Sequence, residues 1–228
     1  MKKFLPFVLL GLITTFAACQ KDDTGASDGA AFQKITVTVP SSGVQTRAAA
    51  DYGDGSKINR CILEIYRDGV RYGDRKVATV SAGQATFDDL RLVASQTYDF
   101  VFWADCSDGG ADKHYNTTDL TAITVNGDYT GNDDEFDAFF AKKTIPVTGT
   151  FAESVTLSRP FGQLNVQTLD LNEIKDENLK PTHVRVEFSS VPTTFDALAG
   201  TAGGEAPLAY EAAVEDATTG ELTVDYIW

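Results

Sequence analysis

Residues 34–40 read KITVTVP, and in them Ile35, Val37 and Val39 alternate with Thr36 and Thr38. A period of two marks a strand with one face buried and the other wet. Strand-like segments recur at short intervals downstream: RCILEIYRDG (60–69) with a turn at Asp68-Gly69, RKVATVSAG (75–83), QATFDDLRLV (84–93) and TYDFVFWAD (97–105). The last carries the aromatics that would fill a core. Turns come about every ten residues and no helix-period run has comparable strength, so the order predicts an all-β chain of antiparallel sandwiches.

Outward from this run, a polar loop leads to AITVNGDYTG (122–131), FDAFFA (136–141) reads as a covering segment, and TIPVTGTFAESVTLSRP (144–160) closes a first unit. That unit is expected to span residues 32–159. A second, 160–228, has strands near GQLNVQTL (162–169), HVRVEFSS (183–190), APLAYEAAV (206–214) and ELTVDYIW (221–228), separated by KDENLKP (175–181) and the small-residue loop LAGTAGGEA (198–206). Four strands are few for a closed sandwich, which usually has about seven. The apolar alternation also runs on to Ile227 and Trp228. The second sandwich is therefore expected to be incomplete, as in a truncated chain, or to have its last sheet completed by another polypeptide.

The amino terminus has another character. Lys2 and Lys3 precede an apolar stretch from Phe4 to Ala18, which ends in small residues before Cys19. This is the order of parts in a secretory signal, and it is shorter than the roughly twenty residues a spanning helix needs. Phe16-Ala17-Ala18-Cys19 resembles the lipobox of bacterial lipoproteins, although Phe16 stands where Leu is preferred. The resemblance implies removal of residues 1–18, cleavage between Ala18 and Cys19, and acylation of Cys19 by chains such as palmitate. Two or more acyl chains would make a lasting membrane anchor. Lys21-Asp22-Asp23 resembles the export signal that carries Bacteroidetes lipoproteins to the outer face of the outer membrane. Residues 19–31 are small and polar, a flexible acidic tether.

Loss of Lys2 and Lys3 takes the formal charge from -14 to -16, and no basic stripe interrupts the excess. Such a surface repels polyanions, so no nucleic-acid partner is expected. Cys61 and Cys106 could pair in an oxidising envelope or serve as small buried residues, and both readings stand. His114 and His183 have no cysteine or carboxylate at ligand spacing, so neither a zinc site nor any cofactor is expected. The acidic run from Asp128 to Asp137 lacks the alternate spacing of a calcium loop, and Phe136 interrupts it. It reads as a solvated loop. Asp105, Asp108, Asp112 and His114 could suggest acid–base chemistry, but nearby carboxylates arise by chance in so acidic a chain. There is no nucleophile elbow, phosphate loop or dinucleotide fingerprint, so the chain reads as a non-enzyme.

Taken together, YDFVFWAD, AITVNGDYTGNDDEFDAFFA and VTLSRPFGQLNV resemble the fimbrillin family (FimA/Mfa-like) of Bacteroidetes surface lipoproteins, in particular a group with an uncharacterised fimbrillin-like domain. The resemblance implies tandem transthyretin-like β-sandwiches and a role as a fimbrial subunit or fimbria-associated adhesin. Its partners would be other fimbrial subunits or host and bacterial surface ligands. In polymerising members an arginine-specific protease cuts the loop after the first strand, and a strand of the next subunit replaces the one that leaves. The matching place here is Gln45-Thr46-Arg47-Ala48, in a long polar segment of the kind proteases favour. An alternative is a surface glycan-binding lipoprotein with Trp103, Tyr115 and Tyr129 as stacking faces, against which stands simple core packing of these rings. An envelope hydrolase is a third reading, and it would need turnover lost on carboxylate substitution.

Overall fold

A computed structural model describes residues 30–40, 53–214 and 220–228. In chain order its strands are β1 (Ala30–Thr38), β2 (Arg60–Arg67), the short β3 (Val70–Arg71) and β4 (Lys76–Thr79), β5 (Gln84–Val93) and β6 (Gln96–Asp105). A covering stretch carries β7 (Tyr115–Asn116) and β8 (Ile123–Val125), after which β9 (Ala138–Val147) and β10 (Phe151–Thr156) return to the first sheets. Beyond them lie β11 (Gly162–Gln167), β12 (His183–Val191), β13 (Thr194–Asp196), β14 (Thr201–Gly203), β15 (Ala206–Ala213) and β16 (Glu221–Ile227). The architecture is all-β, as the alternation predicts.

Two sheets face each other across the main core. One has the order β10-β1-β5, and the other runs β3-β2-β6-β9 with β4 added to β2. Between them pack Ile35, Val37, Leu63, Phe87, Phe100, Phe102 and Val155. The β2–β3 hairpin turns on Asp68-Gly69, both with positive φ (53° and 77°), the geometry a two-residue hairpin loop demands.

The alternation fails in β2, buried from Arg60 through Tyr66, and in the second half of β6. The reason is a second core on the outer face of the same sheet. Ile62, Tyr66, Val101 and Trp103 point into it and are covered by Tyr115, Leu120, Ile123, Phe136, Phe195, Ala197, Val224 and Tyr226. A strand buried on both faces loses its period and reads as a continuous apolar run. Part of the cover is a four-stranded sheet of order β14-β13-β8-β7, so residues on both sides of position 160 share one sheet and one core.

Two further antiparallel pairs complete the described chain, β11 with β16 and β12 with β15. Leu164 and Val166 on β11 remain 44% and 42% exposed.

Two expectations need correction. FDAFFA covers only through Phe136, which ends the 3-10 turn Asp134–Phe136 and packs into the second core, whereas Ala138 onward is β9, paired with β6 along its whole length. A short apolar run carries no period that could separate these outcomes. The supposed loop 198–206 contains β14, which forms a hairpin with β13. Thr201, Ala202 and Gly203 have little strand propensity, and tertiary pairing decides their conformation.

Candidate functional site

The first strand occupies an unusual place. β1 lies between two neighbours, parallel to β10 and antiparallel to β5. Ile35 and Val37 are fully buried and Val39 nearly so. Burial of three such side chains stabilises by about 5–9 kcal/mol. Gln33, also buried, pins the parallel register: its Nε2 donates to the Gly149 carbonyl (3.1 Å) and its Oε1 accepts from the Phe151 amide (2.9 Å). Past the strand's end, the Val39 amide donates to Gly83 O (2.8 Å) and the Leu157 amide donates to Thr38 O (2.9 Å). Withdrawal of β1 would open an apolar trough and leave facing backbone groups of β5 and β10 unpaired. Such a trough can accept an extended segment with alternating apolar side chains.

The site residues read from the sequence, Ala18, Cys19, Lys21, Asp22, Asp23, Arg47 and Ala48, lie outside the described residues. The twelve-residue segment 41–52 holding Arg47 is bounded by Pro40 and Gly53. Gly53 is anchored, since its amide donates to Asp134 Oδ1 (2.7 Å) and its carbonyl accepts from Arg159. Cys61 and Cys106 are buried and unpaired.

The four residues considered for acid–base chemistry do not converge. Arg60 takes Asp105 in a two-pronged ion pair (2.8 and 2.7 Å) and also reaches Asp112 (3.0 Å). The Trp103 indole N–H donates to the same Asp105 carboxylate (3.1 Å). Asp108 lies in an exposed turn closed on Ala111, and His114 instead faces Asp133 and Glu135. The acidic run is a solvated loop only in part: Asp128 is exposed, Asp133 to Glu135 are half-buried and Asp137 is buried. Asp133 caps the 3-10 turn, Asp134 accepts from Gly53 and from the Tyr226 hydroxyl, and buried Asp137 forms a two-pronged pair with Arg159 (both 2.7 Å). The partners of Asp134 and Asp137 are 22 to 92 residues away in sequence, too far for any spacing rule to find.

The three candidate stacking aromatics part company. Trp103 and Tyr115 are buried in the second core, edge to face at 5.3 Å. Tyr129 alone reaches a cleft of about 450 Å³, which it lines with Val125, Pro192, Leu208 and Trp228. Trp228 stacks flat on Phe195 (5.3 Å, 2° between planes).

Behind the cleft lies Asp225, fully buried, its Oδ1 accepting from the hydroxyls of Tyr210 (2.5 Å) and Tyr129 (3.2 Å). Burial raises its carboxyl above the ordinary value, and the tyrosine hydroxyls offset only part of that. A carboxyl raised in the folded state costs stability once ionised: the cost is complete above the folded pKa and vanishes as pH falls to the ordinary value near 3.8. Asp225→Asn keeps an acceptor for both hydroxyls. It should be more stable than the parent at pH 7, by about 1–2 kcal/mol, with the gap closing toward pH 4 in denaturant titrations. A gap that widens on acidification would contradict this.

A comparison with the curated proteins finds no match. Among solved structures the chain is similar to a protein assigned to cell adhesion from Bacteroides eggerthii DSM 20697, at 14% identity and a TM-score of 0.40, over 73% of this chain and 52% of that one. It is also similar to a fimbrilin (fimA) from Porphyromonas gingivalis W83, at 11% identity and a TM-score of 0.40, over 75% of this chain and 53% of that one. The chain thus spans about half the length of either structure. Residues 26–228 match the family model described as a family of unknown function, DUF6562, and the chain belongs to that family.

Proposed function

We propose that the chain is a cell-surface lipoprotein, tethered through acylated Cys19, that acts as a fimbrial subunit or fimbria-associated adhesin and assembles by exchange of its first strand after cleavage between Arg47 and Ala48. On this reading residues 32–159 are the exchanging sandwich and 160–228 a second unit packed against it. The observation that carries the proposal is the position of β1, central in its sheet and followed by the segment containing Arg47. A cut in that segment would leave β1 held by non-covalent contacts alone. An incoming strand with the same alternation would regain the same burial and the same backbone bonds, so exchange is close to neutral and a better-matched strand drives it forward.

Mass spectrometry of the mature protein from cells tests both ends of the proposal. The expected products are an acylated Cys19 amino terminus and a second amino terminus at Ala48, with a ladder of higher-order species that disappears in Arg47→Ala. An intact chain with no ladder would remove strand exchange. An unacylated chain would remove the anchor.

A second reading, a surface glycan-binding lipoprotein, is favoured by the cleft formed by Tyr129 and Trp228. Sugar faces stack on exposed aromatic rings by apolar contact, while nearby polar groups set orientation. If this holds, the uncut chain binds soluble polysaccharide and Trp228→Ala weakens that binding at least about tenfold, a loss of roughly 1.4 kcal/mol. Equal binding by both chains would exclude the cleft.

A further inference from the structure

Away from β1 and the cleft, two segments of the covering layer bring unlike metal-binding groups together. His114 precedes β7, and its ring packs on Phe136 with centroids 4.2 Å apart. Asp133 uses Oδ1 to accept the Glu135 amide (3.0 Å), while its Oδ2 lies 3.8 Å from His114 Nε2. Glu135 Oε2 lies 3.3 Å from the same nitrogen. One donor atom from each residue falls within 4.8 Å of the other two.

We propose that His114, Asp133 and Glu135 form a binding site for a divalent first-row transition-metal cation, zinc above all. Bonds of about 2.0–2.1 Å in a tetrahedral site place ligand atoms about 3.3–3.4 Å apart. The His114–Glu135 separation already has this value, and the His114–Asp133 separation needs to close by about half an ångström. One imidazole nitrogen and two carboxylate oxygens suit zinc, whereas calcium and magnesium take oxygen shells. The three side chains are 13%, 33% and 35% exposed, so a cation can enter and water can complete the shell. The acidic protein as a whole attracts cations.

Lys113 decides how tightly the site closes. Its ammonium contacts Glu135 Oε2, so an arriving metal must displace an internal cation. Once bound, the metal would staple residues 113–116 to residues 133–137, two walls of the layer that covers Ile62 and Trp103.

The test is calorimetric titration of the EDTA-stripped full chain, purified without a polyhistidine tag, with zinc, magnesium and calcium chlorides in turn. One equivalent of zinc is expected to bind in the micromolar range, with no heat from the other two. His114→Ala should lower zinc affinity by about 100-fold or more, since loss of even an outer partner costs 10–100-fold. His183→Ala, at the exposed second histidine, should leave it unchanged, and Lys113→Met should raise it. Zinc at about a hundredfold excess over Kd should raise Tm by about 5–10 °C. Absence of zinc binding by the folded parent chain up to millimolar concentration would overturn the proposal. So would undiminished affinity in a folded His114→Ala chain, whose fold circular dichroism checks.

Discussion

A chain lacking residues 1–40 will not reach the native fold alone, and a synthetic peptide of residues 30–40 supplied in trans will restore it. The trough left by β1 loses the burial of Ile35, Val37 and Val39, about 5–9 kcal/mol, against a total domain stability of about 5–15 kcal/mol. It also leaves ladder groups of β5 and β10 unpaired and strips the Gly149 and Phe151 backbone of its bonds to Gln33. Each buried unsatisfied group adds about 1–3 kcal/mol, so the sum exceeds what the remaining core supplies. Fluorescence of Trp103, buried in the second core, and the cooperativity of thermal melting report the outcome. A peptide carrying Val37→Asp should fail to rescue, because it would place an unpaired charge in the core. A cooperatively folded monomer without any peptide would show that β1 is dispensable, and strand exchange would lose its physical basis.

Arg60→Met should be strongly destabilising, costing about 3–5 kcal/mol. Arg60 is buried and holds Asp105, which is wholly excluded from solvent, while also reaching Asp112. Methionine fills most of the volume yet leaves two carboxylates facing each other, with the Trp103 indole N–H the remaining donor to the Asp105 side chain among the described residues. The diagnostic comparison is the double substitution Arg60→Met with Asp105→Leu. It should recover much of the lost stability, because the penalty arises from an orphaned charge more than from the absence of the pair. Denaturant midpoints of the parent, the single and the double variant test this. A double variant weaker than the single by more than about 1 kcal/mol would indicate that the pair itself carries the stability.

The stretches that proved legible are those whose burial is one-sided. KITVTVP and QATFDDLRLV show their period because one face meets the core and the other meets water, and the structure pairs them directly. The Asp68-Gly69 turn was legible for a different reason: the left-handed backbone it requires admits few residue types. FDAFFA and residues 198–206 were not, since neither carries a period and each is set by the strand beside it. The candidate sites divide the same way. Cys19 and Arg47 were singled out by resemblance to short family motifs, whereas the gathering of His114, Asp133 and Glu135 depends on two segments about twenty residues apart meeting over Phe136.

By itself the chain's residue order determined the all-β class, the alternating strands, the lipobox-like cysteine and the acidic balance, because each is a property of neighbours along the backbone. Only the tertiary structure decided that β1 sits between two partners, that the β2–β6 sheet is covered on both faces, and that Arg60 holds two aspartates. Periodicity reports that a face is buried and is silent about what buries it. Register, layer order and charge partners come from contacts between segments far apart in the chain, and no local pattern encodes them.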